Sequence, residues 1–198
     1  MSAVAIPRLE APETWKLPSR GKVAMACLIV AESAIFTIFV VAYLFYVGKS
    51  LTGPTPSEVL ETPIFYSICL LSSSLTVHFA GKSLERGKRG AFFALWLLTI
   101  ALGGLFLFGT GQEWHHLIYE RGLTISTNLF GTTYYSLVGL HAFHVTAGLA
   151  MLSIVAIFAL AGRLGEEHSP RINVLAMYWH FVDVVWVVVF TVVYVLGR

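Results

Sequence analysis

Long apolar runs alternate with short polar segments along this chain of 198 residues. Five of the runs are about as long as the roughly 20 residues that a helix needs to cross a ~30 Å hydrocarbon core. They cover residues 23–47, 63–82, 91–111, 130–161 and 172–196. The pattern predicts an all-α polytopic membrane protein, in which a tail of residues 1–22 precedes a single domain of five transmembrane helices over residues 23–197.

The few charged residues indicate how these helices are oriented. Only 12% of the chain is charged and 57% is hydrophobic, whereas soluble domains are about one-quarter charged. Most of the 13 Lys and Arg residues fall in the tail, the second loop and the fourth loop. Because basic loops stay in the cytoplasm, the N-terminus is predicted to be cytoplasmic and the C-terminus outside. We read the net charge of +2 as a result of this topology rather than as a sign of nucleic-acid binding.

Ionisable side chains interrupt the apolar runs at a few positions. Glu32 lies in the first run, His141 and His144 lie in the fourth, and His180 and Asp183 lie in the last. An ionisable group in hydrocarbon costs kilocalories, so such residues are expected to face protein or a water-filled cavity and to mark the functional interior. By the helical rise of ~1.5 Å per residue, Glu32, His180 and Asp183 occupy one layer near the membrane centre.

These depths predict two polar pairs. Glu32 is expected to bond His144 across the first and fourth spans, since both lie near mid-membrane if Tyr134 and Tyr135 mark the outer interface. His180 and Asp183 are three residues apart on one helix face, so they are expected to contact each other directly.

Three readings of the polar residues compete on the residues alone. The histidines and the two carboxylates supply enough ligands for a metal or haem site, although no C-x-x-C-H or E-x-x-H spacing is present among them. Glu32 and Asp183 are the groups that a proton or ion path would use. The third reading is a structural, lipid-binding subunit whose polar groups join its helices.

The segments outside the runs and the small residues inside them are given simpler assignments. Residues 112–128 are predicted to form a polar outer loop, with Trp114 and Tyr119 as headgroup-level anchors. Serines 72–74 and the glycines of the third and fourth spans are assigned to helix packing, without a chemical role.

Several motifs resemble subunit III of the haem-copper terminal oxidases, in its five-helix bacterial form. The longest covers residues 178–186, Tyr-Trp-His-Phe-Val-Asp-Val-Val-Trp, and others are Gly-Leu-His-Ala-Phe-His-Val at 139–145, Leu-Leu-Ser-Ser-Ser at 70–74 and Ala-Glu-Ser at 31–33. Glu113 with Trp114 is similar to the Glu-Tyr that ends the third helix in that family. Thr110 and Val138 depart from residues that are usual there, which leaves the hydrogen bonding at those positions open.

The resemblance implies a function in a respiratory complex. It implies an accessory subunit of a cytochrome c or quinol oxidase in the bacterial plasma membrane, packed on subunit I with subunit II and further small subunits nearby. Such a subunit would hold phospholipids, carry no metal, haem or copper of its own, and sustain proton uptake and oxygen reduction by its partner. Glu32, Glu113 and the two His-containing motifs match the family's buried polar groups. Six aromatic residues are assigned to lipid or subunit contacts: Trp114, Tyr134, Tyr135, Tyr178, Trp179 and Trp186.

Two alternative functions stay open at this point. One is an accessory subunit of a nitric oxide reductase, which shares the last-helix motif. The other is a proton-translocating channel or transporter subunit that acts through Glu32 and Asp183.

Overall fold

Five long helices make up nearly all of the computed structural model, which describes residues 19–197. Each is long and apolar enough to cross a membrane, so the predicted all-α membrane architecture is confirmed. The α-helices are α1 (Arg20–Tyr46), the short α2 (Pro56–Val59), α3 (Ile64–Glu85), α4 (Arg89–Tyr119), α5 (Leu129–Leu160) and α6 (Ser169–Phe190). A 3₁₀ turn (Glu166–His168) precedes α6, and a π-helical turn (Thr191–Leu196) continues it.

The helix ends differ from the predicted spans by a few residues in most places and by a larger amount at the end of α4. Helix α1 begins at Arg20, where the Ser19 hydroxyl accepts a bond from the Lys22 amide at 3.4 Å, and the tail before residue 19 lies outside the described residues. The prediction of a loop from residue 112 was wrong, because α4 continues to Tyr119. No Pro or Gly interrupts residues 112–119, and the chain turns only at Gly122, whose φ is +67°.

Helix α6 lies at the centre of the bundle, and α1 lies at its edge. Ten residues of α6 are buried, and the helix packs against α1, α3 and α5. In α1, only Phe36 and Tyr43 are buried, and its helical neighbours are α5 and α6. The polar residues of α6 therefore face other helices of the same chain, whereas α1 has fewer apolar contacts to hold it in place.

Glycines allow Trp179 of α6 to fill the middle of the bundle. A Cβ at Gly103 would lie 2.9 Å from the Trp179 ring, and one at Gly148 would lie 2.7 Å from it. Both distances are too short for a carbon contact, so α4 and α5 can approach this fully buried indole only because these residues are glycine.

Candidate functional site

A carboxylate on α1 and an imidazole on α5 form a bonded pair. His144 Nε2 lies 3.2 Å from Glu32 Oε2, and the two side chains are 8% and 23% exposed. The ring of Phe36 covers the imidazole at a centroid distance of 5.0 Å, and Tyr178 donates to the His144 carbonyl at 3.2 Å. The predicted pairing of Glu32 with His144 is confirmed, and it bonds the peripheral helix to the rest of the bundle.

The bond of His144 Nδ1 limits where the protons of the pair between Glu32 and His144 can lie. His144 Nδ1 lies 2.8 Å from the Leu140 carbonyl oxygen, which can only accept, so Nδ1 carries a hydrogen. Nε2 then either accepts from a protonated Glu32 or, as an imidazolium nitrogen, donates to an ionised Glu32. In both arrangements the pair shares one proton and is neutral overall, which makes its partial burial tolerable.

A serine joins the two polar groups of α6. Ser74 of α3 donates to Asp183 Oδ2, and its oxygen lies 2.9 Å from His180 Nδ1. Because one hydroxyl has one hydrogen, His180 is the donor to Ser74 and Ser74 is the donor to Asp183. The predicted direct bond between His180 and Asp183 was wrong, since the Ser74 hydroxyl lies between them and bonds one atom of each.

Two further serines of α3 bind the indoles of α6. Trp179 Nε1 donates to Ser73 Oγ at 2.8 Å, and Trp186 Nε1 donates to Ser67 Oγ at 3.0 Å. Sequence reasoning assigned Ser73 and Ser74 to packing alone, so it missed their bonds to α6. The signal that could have found them is the presence of hydroxyl groups in a span beside indole N–H groups, which need acceptors when buried.

His141 has a different environment from His144, although the two are three residues apart. It is fully buried, and its ring stacks on Trp186 at 5.0 Å with an angle of 27° between planes. Phe106 meets it edge-on at 5.6 Å. Within residues 19–197 neither ring nitrogen of His141 has a hydrogen-bond partner. His141 therefore belongs to the aromatic core and has no bonding partner in common with His144.

The sequence of the bundle matches known respiratory proteins over its whole described length. The family of cytochrome c oxidase subunit III matches residues 19–198. The chain belongs to this family. Cytochrome c oxidase subunit 3 of Alkalihalophilus pseudofirmus is 33% identical over 189 residues, which cover 94% of this chain and 92% of that protein. The Synechocystis protein of the same name is 39% identical over 184 residues, which cover 90% of this chain and 77% of that protein.

The relatives include subunits of more than one kind of oxidase. Cytochrome bo(3) ubiquinol oxidase subunit 3 of Pseudomonas aeruginosa is 32% identical over 171 residues, covering 85% of this chain and 81% of that protein. The resemblance to haem-copper oxidase subunit III that the motifs indicated is thereby confirmed. Its relatives are subunits of cytochrome c or quinol oxidases, which makes this subunit III a component of an oxidase complex.

The third polar cluster of this subunit III lies near the ends of α4 and α6. Tyr194, in the π-helical turn, lies 2.9 and 3.0 Å from the two carboxylate oxygens of Glu113 and donates to that carboxylate. The Tyr134 hydroxyl is 3.5 Å from that of Tyr194. A π-helical turn shifts the residues that follow it around the helix axis, and this one directs Tyr194 toward α4. Sequence reasoning missed Tyr194, because the wider helical turn has no clear sequence signal.

Most of the aromatic residues that were assigned to lipid or subunit contacts pack inside the chain instead. Five of them are buried, namely Tyr134, Tyr135, Tyr178, Trp179 and Trp186. Trp114 is half-buried against the ring of Tyr135 at 5.5 Å. The polar atoms of the five buried residues explain the difference: the bonds already described, and that from the Tyr135 hydroxyl to the Leu123 carbonyl at 2.8 Å, give each of them a partner within the bundle.

The polar groups of this subunit are distributed between helices rather than gathered at one point. Over the described residues 19–197, no three His, Cys, Asp or Glu side chains lie close enough together to hold a metal ion. Each cluster instead contains one carboxyl group and a hydrogen-bond partner from a second helical segment. This arrangement is suited to holding helices together, or to holding a proton, at three separate places.

Proposed function

We propose that this chain is the non-catalytic accessory subunit III of a bacterial haem-copper oxidase in the plasma membrane. It packs on subunit I, binds phospholipid, and sustains proton uptake and oxygen reduction there. The names of its relatives support an oxidase complex, and the distribution of its polar groups supports an accessory part in it. We expect haem and copper in the partner subunits and none in this chain, with the N-terminus cytoplasmic and the C-terminus outside.

The observation that carries the proposal is the bond between Glu32 and His144. It joins α1, the helix with the fewest buried residues, to α5. A buried hydrogen bond in a membrane helix bundle contributes about 0.6 kcal/mol on average and up to about 1.7 kcal/mol. For a helix with two buried side chains, a bond of this size helps to keep it in register with the bundle and so to preserve the surface offered to the partner subunit.

Substitution of Glu32 tests this role in the assembled oxidase. Glu32→Gln keeps a donor for His144 Nε2, so assembly and initial oxygen consumption are expected to match the unmodified complex. Glu32→Ala leaves that nitrogen without its partner, and the number of turnovers before inactivation is expected to fall. Glu120→Ala is the matched control, because its pair with His116 at 2.9 Å is on the surface and contributes little.

The same experiment separates the proposal from proton translocation through Glu32 and Asp183. An amide cannot release or accept a proton as a carboxyl does. Near-complete loss of initial turnover in Glu32→Gln, with this subunit present in normal amount, would therefore establish an obligatory proton relay and contradict the accessory role.

A further inference from the structure

A pocket lined by both polar and apolar side chains opens between α1, α3 and α6 at the end of the bundle where α1 begins. Its volume is about 310 Å³. Lysines from two helices line it, Lys22 of α1 and Lys82 of α3, together with Asn173 of α6. His78 and His180 are also in the lining, which makes the pocket rich in groups that donate hydrogen bonds.

The pocket carries an excess of positive charge. Its one carboxylate, Glu85, accepts a bond from Asn173 Nδ2 at 2.8 Å. Within residues 19–197, neither Lys22 nor Lys82 forms an ion pair. Two ammonium groups on different helices therefore line one pocket that contains a single carboxylate, an arrangement that favours an anion with several oxygen atoms.

An apolar groove continues from this pocket along α1. The groove has a volume of about 590 Å³ and shares Lys22 and Met177 with the pocket. The rest of its lining is Val23, Ala26, Cys27 and Val30. These residues extend over about two turns of α1, or roughly 10 Å along the helix axis, toward the middle of the hydrocarbon region.

We propose that the pocket and the groove together bind one anionic phospholipid. Its phosphate lies between Lys22 and Lys82, and one acyl chain lies along the groove past Ala26 and Val30. The proposal rests on the lipid-binding part of the proposed function and names the lipid class and the place. A phosphate alone would satisfy the two lysines, but only a lipid also covers the apolar groove that begins at the same lysine.

The position of the pocket agrees with this occupant. Lys22 is in the first turn of α1 and Lys82 is in the last turn of α3, so both belong to the ends of membrane-length helices, where headgroups lie. Other basic residues on this side, such as Lys88 and Arg89, do not line the pocket. Basic pockets between transmembrane helices on the cytoplasmic side select acidic lipids, and this side is the one predicted to be cytoplasmic.

The test measures lipid bound to the whole oxidase complex. Delipidated complex is titrated with phosphatidylglycerol, and bound lipid is counted by native mass spectrometry. A Lys near the membrane surface contributes about fivefold in affinity, so Lys22→Gln and Lys82→Gln are each expected to weaken binding about fivefold, and the double variant about 25-fold. Lys88→Gln, a lysine on the same side outside the pocket, is the matched control and is expected to change nothing. Equal binding by the double variant and the unmodified complex, or an equal loss in Lys88→Gln, would overturn the site.

A second pair of variants distinguishes a lipid from free phosphate. Ala26→Trp fills the groove and is expected to weaken phosphatidylglycerol binding, while Ala24→Trp, on the same exposed helix but outside the lining, is not. Inorganic phosphate that binds as tightly as the lipid, with Ala26→Trp having no effect, would show a phosphate site and overturn the lipid assignment. If lipid binding is unchanged by all these variants but Glu32→Ala still shortens the working life of the oxidase, this inference fails and the proposed function stands.

Discussion

Replacing Ser74 with alanine is expected to destabilise the subunit more than any neighbouring serine substitution. The change removes the donor to Asp183 Oδ2 and the acceptor for His180 Nδ1 at once. Asp183 is 3% exposed, and its other oxygen has no hydrogen-bond partner in the described part of the chain. The variant therefore leaves a buried carboxyl with neither oxygen bonded.

The size of the effect follows from these partners. A buried polar group that loses its partner costs about 1–3 kcal/mol, and hydrogen bonds between membrane helices contribute up to about 1.7 kcal/mol. With two partners lost, we expect about 2–3 kcal/mol for Ser74→Ala. Each kcal/mol lowers the melting temperature of a protein of this size by about 2–4 °C, so the expected decrease is about 4–12 °C.

The assay is thermal denaturation of the purified complex, followed by how much of this subunit it retains after heating. Ser72→Ala is the matched control, because Ser72 lies on the same helix and forms no hydrogen bond to another helix within residues 19–197. Asp183→Asn supplies the second test, since the amide is neutral and tolerates burial better than a carboxylate. In that background Ser74→Ala should cost about 1 kcal/mol less. Two results would refute the reasoning. One is a decrease in melting temperature for Ser74→Ala no larger than that for Ser72→Ala. The other is an equal decrease for Ser74→Ala whether residue 183 is Asp or Asn.

Three further predictions follow from the packing, the π-helical turn and the topology. Gly148→Ala is expected to cost about 1–3 kcal/mol in the same heating assay, because its Cβ would lie 2.7 Å from the rigid ring of Trp179. Tyr194→Phe removes the hydroxyl that donates to the Glu113 carboxylate, so we expect faster proteolysis of the C-terminal turn at unchanged helix content by circular dichroism. Alkaline phosphatase fused to the C-terminus is expected to be active, since five spans and a cytoplasmic N-terminus place that end outside.

Each of these predictions has a control and a contradicting result. Gly104→Ala is the control for helix α4 and α5 packing, because nothing lies within 4 Å of its added Cβ, and equal melting temperatures for the two glycine variants would contradict the packing argument. Tyr119→Phe is the control for Tyr194→Phe, because Tyr119 is 76% exposed, and equal cleavage rates would show that the bond to Glu113 contributes nothing. A cytoplasmic reporter active at the C-terminus would mean that the orientation is reversed.

The sequence predicted this architecture well where depth alone was enough. Five apolar runs set the number of helices, and the distance of Glu32 and His144 along their spans was sufficient to pair them. That pairing works because α1 and α5 are antiparallel: Tyr43, eleven residues after Glu32, meets Phe130, fourteen residues before His144, at 6.5 Å. Residues at equal depth on neighbouring antiparallel helices have few other partners.

The depth of a residue in the membrane was not enough to predict contacts that depend on which side of its helix the side chain occupies. Ser72, Ser73 and Ser74 lie about 100° apart around α3, and a helix that is apolar on every side gives no indication of which face is inward. The same ambiguity affected Trp179 and Trp186, because an indole suits both the membrane interface and a core that offers an acceptor. The structure shows that both indoles are buried in the core. Their burial could not be predicted, because it depends on which helices are neighbours.

The contacts of α6 with α3 contain a signal that could reduce this ambiguity in related chains. Trp179 and Trp186 are seven residues apart, or two helical turns, and their acceptors Ser73 and Ser67 are six apart in the reverse order. The order is reversed because the two helices are antiparallel. Donors at two-turn spacing in one span, with hydroxyl acceptors at nearly the same spacing in another, therefore predict both that the two helices are neighbours and how they are aligned. With that alignment, the residue that meets positions 180 and 183 of α6 lies next to Ser73, which is where Ser74 is found.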